Sequence, residues 1–214
     1  INREYREILY PCNLGINLFL EFSESLIENL IGHINLAFDS FFYNIFVSNW
    51  SMDLNDLITF GREEPKEQNI PLKETVLIYP TDLFYKSLKK VQNLRHLLPL
   101  KLGITHLPLY SSTRKNLIFL YGEAHINQKL AVVSTYNLRD LHTNLPKEYA
   151  ILEKRIIKES IHEIGHLILG NDHCINSNCV MKYSRDLGKV DDKSTFPCNS
   201  CNERLKEIRE NYNF

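Results

Sequence analysis

The chain has 214 residues, 43% of them hydrophobic and 24% charged, enough to bury a sizeable core as a single domain. Lys and Arg number 25 against 26 Asp and Glu, a net charge of -1 that leaves no broad electrostatic footprint for nucleic acid or an anionic membrane. No apolar run approaches the roughly 18 residues of a membrane span, and the first seven residues are too charged for a secretory signal.

Residues Ile8 to Cys12 read as a short buried strand. Ser23 to Phe38 follows with Leu26, Ile27, Leu30, Ile31, Ile34 and Phe38 at helical spacing, so that strand then helix opens an α/β layer. Phe42 to Val47 is a second strand, and Gly61 to Pro71 a charged, Pro-bearing break and the best linker candidate. Thr75 to Tyr79 is another short apolar run. Leu83 to Leu98 is an amphipathic helix whose Lys86, Lys89, Lys90 and Arg95 read as a solvated face rather than a nucleic-acid patch. Lys101 to Tyr110, Asn116 to Tyr121 and Lys129 to Tyr136 read as strands, the last two joined by a short hairpin-like link, Gly122 to Gln128.

A long helix then starts near Asn144 and Pro146, a favourable cap and first-turn residue. Its apolar face runs through Ile151, Leu152, Ile156, Ile157, Ile161, Ile164 and Ile168. On it, His162 and His166 stand four residues apart, which puts both imidazoles on one face, one turn apart, as two ligands of a zinc ion require. Glu163, beside the first histidine, can reach a water on that metal and take its proton, the logic of the H-E-x-x-H metalloprotease pattern. A third ligand requires the chain to break and return. Gly170 can adopt the left-handed helix end, and His173 follows it.

Directly afterwards comes a second constellation. Cys174 and Cys179 form C-x4-C, and Cys198 and Cys201 form C-x2-C, the ligand set of a closed, four-thiolate structural zinc. Four of five cysteines in metal spacing suit a reducing, cytoplasmic setting, and Cys12 reads as a buried thiol. Neighbours in an extended segment point to opposite sides, so His173 can serve one metal and Cys174 another.

H-E-x-x-H, a glycine, a histidine followed at once by cysteine, then C-x4-C-x-M and a distal C-x2-C together resemble the archaemetzincins, metzincin-like zinc peptidases. The strong match covers Ile156 to about Leu205; upstream, the likeness is to the order of elements only. The resemblance implies an α+β, zincin-like fold: a twisted, mixed five-stranded sheet with an antiparallel edge strand, an active-site helix, and a small C-terminal subdomain stapled by zinc. It implies a single catalytic domain over 1–214, with an upper part, 1–170, ending in the active-site helix. A lower part, 171–214, would carry the third ligand, a methionine-containing turn at Met181 and the four-cysteine site. Two zinc ions are implied: a catalytic one on His162, His166 and His173 with Glu163 as general base, and a structural one on Cys174, Cys179, Cys198 and Cys201. The antiparallel edge strand would be Asn116 to Glu123, offering main-chain hydrogen bonds to an extended peptide substrate. In some other metzincins a tyrosine two residues after the methionine steadies the oxyanion, which nominates Tyr183.

The chain departs from the family pattern by one extra residue between His166 and the glycine. Leu169 therefore occupies the usual glycine slot, and Asp172 the usual third-ligand slot. Asp172 is a rival ligand, since aspartate binds zinc; His173 is preferred because counting from Gly170 restores the spacing to both the histidine and Cys174. His33, His96, His106, His125 and His142 have no partner at ligand spacing. The second functional class is a non-catalytic, zinc-stabilised module that captures peptide or nucleic acid. Near-neutral charge and the lack of interleaved basic and aromatic residues around the cysteines speak against nucleic acid.

Overall fold

The computed structural model describes residues 9–65, 75–92, 96–139 and 146–214. The first half contains β1 (Cys12–Leu18), α1 (Glu24–Ala37), β2 (Phe42–Asn49), α2 (Leu54–Phe60), β3 (Arg62–Pro65), β4 (Thr75–Pro80) and α3 (Thr81–Lys90). The second half adds β5 (Leu100–Thr105), β6 (Leu109–Tyr110), β7 (Ile118–Leu120), β8 (Gly122–His125), β9 (Leu130–Ser134), α4 (Pro146–Leu169), α5 (Leu187–Asp192) and α6 (Asn199–Tyr212).

Five strands form the main sheet in the order β2-β1-β5-β9-β8, parallel except for β8, which runs antiparallel to β9 at the edge. This is the mixed sheet with an antiparallel edge that the resemblance implied. A second, four-stranded sheet has the order β3-β4-β6-β7. The main sheet is covered on both faces, and β9 records this residue by residue. Ala131 and Val133 join the core beneath α1 and α4, while Leu130 and Val132 join the core beneath α3.

Helix α1 is capped by Ser23, whose hydroxyl accepts from the Leu26 N–H, and buries Leu26, Leu30 and Ile34 against the sheet. Each such aliphatic side chain contributes about 1.5–3 kcal/mol by leaving water. No described helix is long and apolar enough to cross a membrane.

Several expected boundaries move. The first strand begins at Cys12, after Leu9 to Pro11, because Pro11 has no N–H to donate to the ladder; Ile8 lies outside the described residues. Its polar members disguised it: buried Asn17 donates to the Ser48 hydroxyl of β2 at 2.7 Å. The expected linker at Gly61 to Pro71 begins as a strand, β3, paired with β4, and α2 precedes it. Helix α3 stops at Lys90 rather than Leu98 because Lys101, from β5, donates its ammonium to the Leu88 and Val91 carbonyls at 2.8 and 2.6 Å, capping the helix from another element. The run Lys101 to Tyr110 divides into β5 and β6, which belong to different sheets.

The edge strand is also corrected. It is Gly122–His125, not Asn116 to Glu123, and the presumed hairpin link is itself the strand plus a 3-10 turn, Ile126–Gln128. Phe119 has φ 56, and the Asn137 amide donates to its carbonyl at 2.5 Å, so the chain breaks after β7 and re-enters the main sheet as β8. The expected cap at Asn144 lies outside the described residues.

Candidate metal centre and active-site cleft

Helix α4 positions the centre. Its 24 residues lie beneath β8 and β9, with Ile156, Ile157, Ile161 and Ile164 buried in the main core, so the side chains of His162, Glu163 and His166 are presented from a rigid rod. The helix ends where Gly170 takes φ 93, in the left-handed region that glycine enters without a Cβ penalty, and the Gly170 N–H closes on the His166 carbonyl. Two cations satisfy carbonyls of the last turn: Lys129 donates to Leu167 O at 2.9 Å and Arg204 to Leu169 O at 2.7 Å. The chain then turns back and brings His173 to the two helical imidazoles.

The ligand atoms of His162, His166 and His173 lie within 4.8 Å of one another. Nδ1 of His162 faces the Val180 carbonyl at 2.7 Å, and Nδ1 of His166 faces the Gly170 carbonyl at 2.8 Å. A carbonyl only accepts, so both Nδ1 atoms carry the proton and both Nε2 lone pairs are free. Those Nε2 atoms stand 3.1 Å apart, close to the roughly 3.3 Å that two nitrogens about 2.05 Å from a tetrahedral zinc span. Burial, then the Lys193 charge and His166, holds His162 well below the ordinary imidazole range; burial, then His166, brings His173 down to about 4. Neutral imidazoles are the ligating form. Asp172 is exposed and stands outside this group, so the convergent residue is His173.

Glu163 is buried between the histidines and the edge strand. Gly122 of β8 passes so close that a Cβ there would stand 2.7 Å from the Glu163 carboxylate. Burial pushes the Glu163 carboxyl well above the usual carboxylate range; Glu159 adds to the push and Lys193 opposes it. Above the helix a cleft of about 1120 Å³ opens, lined by Tyr121, Gly122, Glu123, His173 and Tyr183 together with the centre. Edge strand β8 forms its rim. Glu123 fixes that rim from the far side: the hydroxyls of Thr81 and Ser111 each donate to its carboxylate at 2.5 Å, and Tyr85 donates to its main-chain carbonyl at 2.9 Å.

Below the helix, Met181 is fully buried, and Gly165 leaves the space that its thioether fills. Tyr183 is 59% exposed, with its ring centroid 5.2 Å from that of His173. Cys174, Cys179, Cys198 and Cys201 form a separate cluster. Their sulfurs approach to 3.6 Å (Cys174 and Cys198) and 3.7 Å (Cys179 and Cys201), against roughly 3.8 Å between two thiolates about 2.3 Å from a tetrahedral zinc. Both donor sets therefore fit a tetrahedral ion. The Cys174 N–H donates to Met181 O at 2.9 Å, which fastens the residue after His173 to the turn under the helix. Three residues of the centre's surroundings escaped the sequence reading: Glu123, Glu159 and Lys193. Only Glu159 left a signal, one turn before Glu163 on the same face.

Residues 68–207 match the model of peptidase family M54. The chain belongs to this family. Among curated relatives, the archaemetzincin of Methanocaldococcus jannaschii is 36% identical over 129 residues, 60% of this chain and 66% of the relative. That of Archaeoglobus fulgidus is 37% identical over 115 residues, 53% of this chain and 65% of the relative. The matched stretch thus spans just under two thirds of these curated relatives. A crystal structure of the Archaeoglobus fulgidus archaemetzincin, complexed with malonate, is similar with a TM-score of 0.57 and 26% identity over 90% of this chain and 99% of that one. The Methanopyrus kandleri archaemetzincin shares the fold, with a TM-score of 0.68 and 21% identity over 98% of this chain and 99% of that one.

Proposed function

We propose that this protein is a zinc-dependent peptidase with one catalytic and one structural zinc. The observation that carries the reading is the convergence of three imidazoles within 4.8 Å, two of them with Nδ1 locked to carbonyls, beside a buried carboxylate at the foot of an open cleft. His162, His166 and His173 would hold the catalytic ion; Cys174, Cys179, Cys198 and Cys201 would hold the structural one. When bound at the histidines, zinc supplies a Lewis acid and lowers the pKa of a water to about 7.

The chain's own residues do the rest. Glu163 accepts the proton of the attacking water on its carboxylate and delivers it to the leaving amine. Strand β8 offers main-chain donors and acceptors to an extended peptide, which aligns the scissile bond without demanding particular side chains. Met181 packs beneath the centre without ligating. Tyr183, next to His173, is assigned to steadying the developing oxyanion; Tyr183→Phe is expected to lower turnover with zinc retained, and unchanged turnover ends that assignment. The division into an upper part, 1–170, and a lower part, 171–214, would fall at Gly170, just after the end of α4. Five cysteines outside any disulfide, four of them in the proposed zinc set, support a reducing compartment such as the cytoplasm.

The test is zinc per chain by elemental analysis, together with cleavage of a peptide library, on the wild type and His162→Ala/His166→Ala. Two zincs falling to one, with cleavage lost, is the expected result. One zinc in both proteins would move a non-catalytic binding role ahead.

A further inference from the structure

The ligand-bearing face of α4 begins one turn before the histidines. Glu159, His162, Glu163 and His166 occupy positions i, i+3, i+4 and i+7 of one stripe. Glu159 is 3% exposed and lines the floor of the cleft, and its Oε1 lies 2.7 Å from Nζ of Lys193, itself 2% exposed. Neither atom has a hydrogen-bond partner beyond this ion pair among the described residues. Burying a carboxylate and an ammonium strips both of water, and an apolar pair of the same size commonly serves stability as well or better. Stability alone does not account for the pair.

Lys193 is held from both sides. Arg155 of α4 grips the Asp191 carboxylate at 2.7 and 2.6 Å, and Lys158 donates to the Val190 and Asp191 carbonyls. On the other side, the Ser194 N–H donates to Asn178 O, and the Val180 N–H to Phe196 O. The segment that supplies Lys193 is thus stapled to α4 and to the residues around Cys179.

We infer that Lys193 is a positioning residue whose ion pair with Glu159 holds a fourth metal-competent side chain of α4 away from the histidine-held ion, keeping that ion's remaining position open. This rests on the reading that the histidines bind metal. A carboxylate three residues before a histidine ligand is a near neighbour on the helix surface, and zinc accepts carboxylate oxygen. A free Glu159 would therefore compete with water and substrate for the open position. Its carboxylate is instead spent on Lys193 and stays outside the group of atoms that converge within 4.8 Å.

The experiment uses cobalt(II) in place of zinc and titrates acetohydroxamate, a chelator that needs the open position, while following the visible cobalt bands. Lys193→Met keeps the length of the side chain and removes its charge. It is expected to alter the bands and raise the hydroxamate Kd about tenfold or more. Lys193→Met/Glu159→Gln should return the Kd to within about threefold of wild type, because the competing carboxylate is gone. Unchanged binding in Lys193→Met, or a double variant as impaired as the single one, overturns the inference. Should Lys193→Met fail to fold, Glu159→Gln alone decides: wild-type hydroxamate binding supports the positioning role, and its loss marks the pair as structural. If the wild-type cobalt spectrum equals that of His162→Ala/His166→Ala, the metal reading itself has failed instead.

Discussion

The histidine centre and the cysteine cluster are two donor sets that share adjacent residues, His173 and Cys174, yet they face different surroundings. The cysteine set offers four donors, two of them buried, with sulfur spacings that already match a closed site. The histidine set offers three, and its open side meets a cleft with a carboxylate at its foot and a sheet edge along its rim. The chemistry a metal can perform is decided by the donor the protein withholds and by what lies in that direction. A four-thiolate ion has nowhere to put a substrate.

The contrast breaks most visibly at Cys198→Ser. Loss of the cysteine-held zinc should lower thermal stability, and because Cys174 is tied to Met181 O and adjoins His173, affinity at the histidine centre should fall on the order of tenfold to a hundredfold. Metal titration against a chelating dye measures both; an unchanged histidine affinity would mean that the two sites are independent. The opposite behaviour is expected of Glu163→Ala, which should keep both zincs while turnover falls by about a hundredfold or more. Zinc lost together with turnover would make Glu163 structural.

Gly122→Ala sharpens the comparison further, because it alters neither donor set. A Cβ at that position meets the Glu163 carboxylate at 2.7 Å, so Glu163, the proposed general base, or the rim must move. Turnover should fall roughly tenfold at unchanged zinc content, since small misplacements at a reacting centre are expensive. The mildest expectation concerns neither site. Ser23→Ala removes the cap of α1 and should cost about 1 kcal/mol in urea unfolding, with zinc content and turnover unaffected.

The chain by itself determined which donors make up the two clusters. Ligand spacing is a local property: on a helix, four residues return a side chain to the same face, and a glycine followed by a histidine is enough to predict a return. The convergence of His162 with His166, and of the four cysteines, was legible for that reason, as was α1, whose apolar stripe is local. Tertiary structure decided what depends on distant partners. It brought His173 rather than Asp172 to the two helical imidazoles, since which of two adjacent residues points inward depends on the turn after Gly170 and on the tie from Cys174 to Met181. It ended α3 early through Lys101, moved the edge strand to Gly122–His125 through Asn137, and brought Lys193 beneath Glu159 from 34 positions further along the chain. A buried lysine looks like any solvated lysine in sequence. Only the fold removes its water, and with the water goes the freedom to act as a surface charge.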